Sequence, residues 1–110
     1  MLKVIVSLTI EGLHKWSGCN IKEVDFLKQE HRHIFYIKCK KEVKHDDRDI
    51  EIIMLKRTIL AYLRQKYQEN RICKFGEKSC EMIAKELLEV FSLSSCEVLE
   101  DNENGAEVSV

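Results

Sequence analysis

From Leu2 to Ile10 the chain alternates, with Leu2, Val4, Val6, Leu8 and Ile10 on one side and Lys3, Ser7 and Thr9 on the other. A period of two marks a half-buried strand, because successive side chains leave a pleated backbone on opposite faces. Carried past Gly12, the same parity puts His14 on the apolar face. Residues 15–30 are polar and lack a clean period, which predicts a loop with a turn of helix at Lys22 to Lys28. A second strand from about Arg32 to Val43 sets His33, Phe35, Ile37 and Cys39 against Ile34, Tyr36, Lys38 and Lys40. Both histidine-bearing faces are apolar, so the two strands are expected to pair as an antiparallel hairpin with the histidines at one end.

The segment His45-Asp46-Asp47-Arg48-Asp49 reads as a solvated turn with acids suited to capping a helix. Beyond it Ile52, Leu55, Ile59, Tyr62 and Leu63 recur at helical spacing, predicting a helix to about Tyr67. A second helix starts near Ser79 as N-cap, with Glu81 in its first turn, and is expected to bury Ile83, Leu87, Val90 and Phe91. Two short strands close the chain, Cys96 to Glu100 and Ala106 to Val110, around an Asn104-Gly105 turn. The order β-β-α-α-β-β predicts an α+β sandwich in one domain, residues 1–110, with an antiparallel four-stranded sheet and two helices on one face. Sheet edges left bare invite pairing with another chain, so a homo-oligomer is expected.

Composition narrows the function classes. Lys and Arg number 18 against 19 Asp and Glu, and a chain with no basic excess has no electrostatic reason to seek nucleic acid. MLKVIVSLTIEG lacks the basic flank, long apolar core and cleavage site of a signal peptide, and no apolar run reaches bilayer length, so no membrane partner is expected. The five cysteines, Cys19, Cys39, Cys73, Cys80 and Cys96, form an odd set without a C-x-x-C pair. Free thiols in a reducing, cytoplasmic compartment fit that set better than a disulfide frame.

Three histidines carry the chemistry: His14, and seventeen residues later the pair His31-Arg32-His33. Residues two apart on a strand share a face about 7 Å apart, so His31 and His33 can lean toward one ion. An imidazole from the neighbouring strand end, His14, would complete a three-histidine zinc site with its fourth position open, as working zinc requires and structural zinc does not. The competing reading is that these histidines simply pack the core.

The order of these features resembles the 6-pyruvoyl-tetrahydropterin synthase and 6-carboxy-tetrahydropterin synthase superfamily. There a histidine closes the first strand and an H-x-H motif opens the second, and together they hold zinc, as His14, His31 and His33 would. Asp49-Ile50-Glu51-Ile52-Ile53-Met54-Leu55-Lys56 is similar to the start of that family's first helix, and Ser79-Cys80-Glu81 resembles the T-x-E segment opening its second. Cys96-Glu97-Val98-Leu99-Glu100 resembles its third strand, whose last glutamate anchors the guanidine-like edge of a pterin. The resemblance implies a tunnelling-fold (T-fold) subunit, a Zn2+ cofactor, and a pterin- or purine-like ligand near a subunit boundary. It makes Glu100 the ligand anchor, with Glu81 and Ser79 beside it.

The departures concern proton transfer. Where that family carries a cysteine just before H-x-H, this chain reads Phe26-Leu27-Lys28-Gln29-Glu30, and its only loop cysteine, Cys19, lies twelve residues before His31. Where the family has an Asp-His pair, the chain reads Leu63-Arg64-Gln65-Lys66-Tyr67, and neither arginine nor glutamine shuttles a proton near neutral pH. Arg32 replaces the glycine between the paired histidines; its side chain is expected on the opposite face, as a cation at the rim of the site or at a subunit contact, where it or Arg64 would meet an anionic tail. Trp16 offers a stacking ring for a planar ligand or a piece of core. Three functions follow: a zinc-dependent ligand binder without the usual catalysis, an active carbon–oxygen lyase on dihydroneopterin triphosphate with Cys19 as base, or a structural subunit without metal.

Overall fold

The computed structural model describes residues 1–110. The opening alternation becomes strand β1, Lys3–His14, and the second alternation becomes β2, His31–Glu42. They pair antiparallel along their full length, from Lys3 opposite Glu42 to His14 opposite His31. The loop between them carries a 3-10 helix, Lys22–Lys28, broken at Val24. Helix α1 spans Ile52–Tyr67, capped by the Glu51 carboxylate, which accepts from the Ile53 and Met54 N–H groups. A short hairpin follows, β3 at Gln68–Glu69 and β4 at Ile72–Gly76. Helix α2 is Cys80–Phe91, and β5, Ser95–Glu100, and β6, Asn104–Ser109, end the chain.

The expected T-fold subunit, with an antiparallel four-stranded sheet and two helices, needs correction. The sheet has six strands in the order β3-β4-β1-β2-β5-β6 and is mixed, since β4 lies parallel to β1, and the 3-10 segment is a third helix. The missing pair is the β3–β4 hairpin, whose turn residues Asn70 and Arg71 both adopt left-handed φ, +51° and +70°. Two consecutive left-handed residues make the tight turn that matches strand twist, and Asn70 tolerates it while Arg71 gives no sequence signal for it. The last turn also moves. Asn104 and Gly105 lie inside β6, opposite Glu100 and Leu99, and the chain reverses at Asp101 and Asn102, φ +55° and +59°. Glycine stands at 105 because a Cβ there would sit 1.8 Å from the Val98 carbonyl oxygen.

Both helices lie on the face of the sheet that carries Val6, Leu8, Ile10, Phe35, Ile37 and Val98, and Ile59 and Leu63 of α1 and Ile83, Ala84 and Leu87 of α2 close over it. On α2 the buried stripe is Cys80, Ile83, Ala84 and Leu87. Val90, expected inside, falls off this stripe and is exposed, as is Ile52 on α1. All five cysteines are free and buried. No helix is long and apolar enough to cross a membrane.

Candidate metal centre

Cross-strand register builds the site. His14 faces His31 directly, and His33 faces Gly12 one pleat further in, so three imidazoles from two strand ends share the helix-covered side. Their ring centroids lie 4.5, 5.1 and 5.4 Å apart. Phe35 lies edge-on beneath, 5.3 Å from His14 and 5.8 Å from His33, and forms an apolar floor.

Each ring is oriented through its Nδ1. His14 Nδ1 lies 2.9 Å from the Lys78 carbonyl, and His31 Nδ1 lies 2.8 Å from the Gln29 carbonyl. His33 Nδ1 lies 2.7 Å from Asp101 Oδ2. A carbonyl or carboxylate oxygen can only accept, so each Nδ1 carries a proton and Nε2 is the nitrogen left for a metal. Such outer partners fix tautomer and ring angle at metal centres. The His33 contact, followed by the Ile34 N–H, holds the Asp101 carboxyl below its ordinary range.

One nitrogen of each histidine lies within 4.8 Å of the others, so His14, His31 and His33 together can hold a metal ion. The fit has an independent sign. His14 is 7% exposed, and its Nε2 is the one buried side-chain polar atom without a hydrogen-bond partner. Glu100 Oε2 stands 3.0 Å from it, close enough for a cation to bridge the two atoms. A buried polar atom left unpaired costs about 1–3 kcal/mol, and a cation between the two acceptors removes that cost.

Beside the cluster opens a cleft of about 520 Å³. His14, His31, Trp16, Ser79, Glu81 and Glu100 all line it, so four of the five expected ligand-binding residues come together with two of the histidines. Arg32 does not join them: it pairs with Glu11 on the opposite face of the hairpin. The lysines lining the cleft are Lys15 and Lys78, and Glu86 engages Lys78. Cys19 also lies elsewhere, 3% exposed, with its thiol directed at the Ile21 and Val24 carbonyls of its own loop.

The thiol at the cleft is Cys80, the first residue of α2, between Ser79 and Glu81. Burial, then the neighbouring Glu100, pushes it up to about 12, so it is neutral near pH 7 and no ready nucleophile. Asp101, which anchors His33, carries no sequence signal beyond its place beside Glu100.

The Lys78 carbonyl that orients His14 is itself held by a network no local pattern reveals. Glu86 of α2 accepts from Tyr62 at 2.7 Å and from Tyr67, and pairs with Lys66 at 2.9 Å and Lys78 at 3.0 Å. Burial opposes its charge, but the hydrogen bonds from Tyr67, Tyr62, Lys66 and Lys78 outweigh burial and hold the carboxyl down at about 2 against an ordinary 4.5. Its contribution is therefore complete above about pH 4.5 and fades as pH falls toward 2. Glu86→Gln is expected to lose about 2 kcal/mol at neutral pH after allowance for solvent screening. Thermal melts should show the gap between the two proteins closing between pH 4.5 and 2. A gap unchanged across that range would show that Glu86 is not held ionised.

Comparison with known proteins places the fold only. No protein-family model matches the chain, and no curated protein matches it. Among solved structures it is similar to an uncharacterized protein from Wolinella succinogenes, with a TM-score of 0.58 and 14% identity over 99% of each chain. That likeness is one of fold.

Proposed function

We propose that this protein binds zinc through His14, His31 and His33 and uses the adjoining cleft to bind a planar pterin- or purine-like heterocycle. The observation that carries the reading is the convergence of three Nδ1-anchored imidazoles on one point beside a cleft of about 520 Å³, a size suited to a small molecule. Three neutral imidazoles suit zinc, and the ion would supply a Lewis-acidic contact for an oxygen of the ligand. Glu100 would accept two N–H bonds from a guanidine-like ring edge, each charge-assisted bond worth about 1.5–3 kcal/mol. Trp16, 44% exposed at the rim, would cover one ring face.

The likeness in histidine spacing to the tetrahydropterin synthases supports the ligand class, while the side chains argue against their chemistry. Cys19 is bonded within its own loop, Cys80 is protonated, and Arg64 and Gln65 stand where an Asp-His pair would be needed. Binding without turnover is the reading these groups favour. Self-association belongs to the same proposal: β4 pairs with β1 only from Gly12 onward, and Ile5, Ile52, Ile53 and Met54 are exposed.

Trp16 is the only tryptophan, so its fluorescence reports the cleft directly. Titration of zinc-loaded protein with guanosine monophosphate, and calorimetry with neopterin, is expected to give a Kd of about 1 µM for at least one of them, near −8 kcal/mol. Neither quenching nor heat up to about 1 mM would sink the heterocycle half of the proposal.

A further inference from the structure

We propose that Glu100 is the fourth donor of the metal centre, closing it at rest and leaving it when a ligand arrives. The inference rests on the zinc-binding reading above and assigns a residue the three-histidine set does not contain. Glu100 ends β5 opposite Phe35, two residues from His33 on β2, so the sheet aims its carboxylate at the cluster. Its two oxygens divide between two rings: Oε2 lies 3.0 Å from His14 Nε2, and Oε1 lies 3.7 Å from His33 Nε2. Donors placed tetrahedrally about 2.0–2.2 Å from zinc stand about 3.3–3.6 Å from one another, between those two distances.

Charge points the same way. Three neutral imidazoles leave a divalent ion's charge uncompensated against the Phe35 floor, where His14 is 7% exposed. A carboxylate halves that charge, and the help grows as water is excluded. No other carboxylate pairs with a ring Nε2 of the cluster, and Glu81 lines the cleft without such a contact. Asp101 is committed to the far nitrogen of His33 and the Ile34 N–H, and Glu77 to Ser17. A cation between the carboxylate and His14 would also give the unpartnered Nε2 its missing partner.

One carboxylate cannot both close the metal site and accept two N–H bonds from a heterocycle. Ligand entry would therefore lift Glu100 from the ion and open a coordination position in the same movement. The centre would present an open position only to molecules carrying that N–H edge.

The test uses the tag-free chain loaded with Co2+ or Zn2+, with Glu100→Gln, which keeps the shape of the side chain, and Glu100→Ala. Both variants should bind metal at least about tenfold more weakly in chelator competition, more than the mildest outer-shell changes cost. Their Co2+ proteins should also show altered visible absorption. Wild-type affinity and an unchanged Co2+ spectrum in both variants, with metal still lost in His33→Ala, would overturn the role of Glu100 and leave the histidine site standing. A wild-type chain that binds neither metal would overturn both.

Discussion

Replacing His33 by alanine is expected to take zinc from about one equivalent per chain to less than about a tenth, measured by elemental analysis of protein purified without a histidine tag. The expectation is steep because the three imidazoles act as one unit. His14 and His31 leave only two imidazoles, and the His33 ring is the one whose outer partner, Asp101, ties the end of β5 to the start of β2. His14→Ala should do the same, with the added effect that the Lys78 carbonyl loses its partner. His45→Ala is the control, since His45 is an exposed turn residue near Asp49 and should leave the zinc content untouched. Metal binding also stabilises the fold that holds it, by about 2.7 kcal/mol when free metal stands at a hundred times Kd. A chelator should therefore lower the wild-type melting temperature by roughly 10 °C and leave that of His33→Ala unchanged. Wild-type protein with no zinc, or His33→Ala with a full equivalent, would return these histidines to the role of core packing.

The parts of this site legible in the sequence follow a local period. Alternation in β1 and β2 set the parity that places His14 and His33 on the buried side, and pairing of two apolar faces brought His31 opposite His14. What stayed hidden depends on contacts between distant segments. Strand β4 is five residues long, follows a turn without glycine and pairs in parallel with β1 from Gly12 onward, so nothing near Ile72 announces it. Yet β4 leads to the Lys78 carbonyl that orients His14. The Glu86 network likewise joins side chains from α1, α2 and the strand-to-helix connection, segments whose local patterns say nothing of one another. The parity that turns His31 and His33 inward sends Arg32 to the opposite face, where it pairs with Glu11 and not with the cleft.

Gly12 joins the fold to the site, and Gly12→Ala is expected to cost about 3 kcal/mol, the upper range for overfilling a packed core. The position lies directly opposite His33 in β1, at the residue where β4 begins to pair. A Cβ there would lie 2.6 and 2.8 Å from two atoms of the Phe75 ring and 2.9 Å from the Phe35 ring. Neither ring has room to retreat, since Phe35 is 0% and Phe75 3% exposed and the two already stand edge to face at 5.2 Å. Moving Phe35 moves the floor under His14 and His33, so the methyl should weaken zinc binding without touching a ligand. Thermal melts with chelator present isolate the packing cost, and metal competition measures the displaced rings. A stability loss with wild-type metal affinity would mean that the histidines are positioned by their Nδ1 partners alone. Wild-type values for both would mean that Phe35 and Phe75 yield freely and that the glycine is not required at the centre of this core.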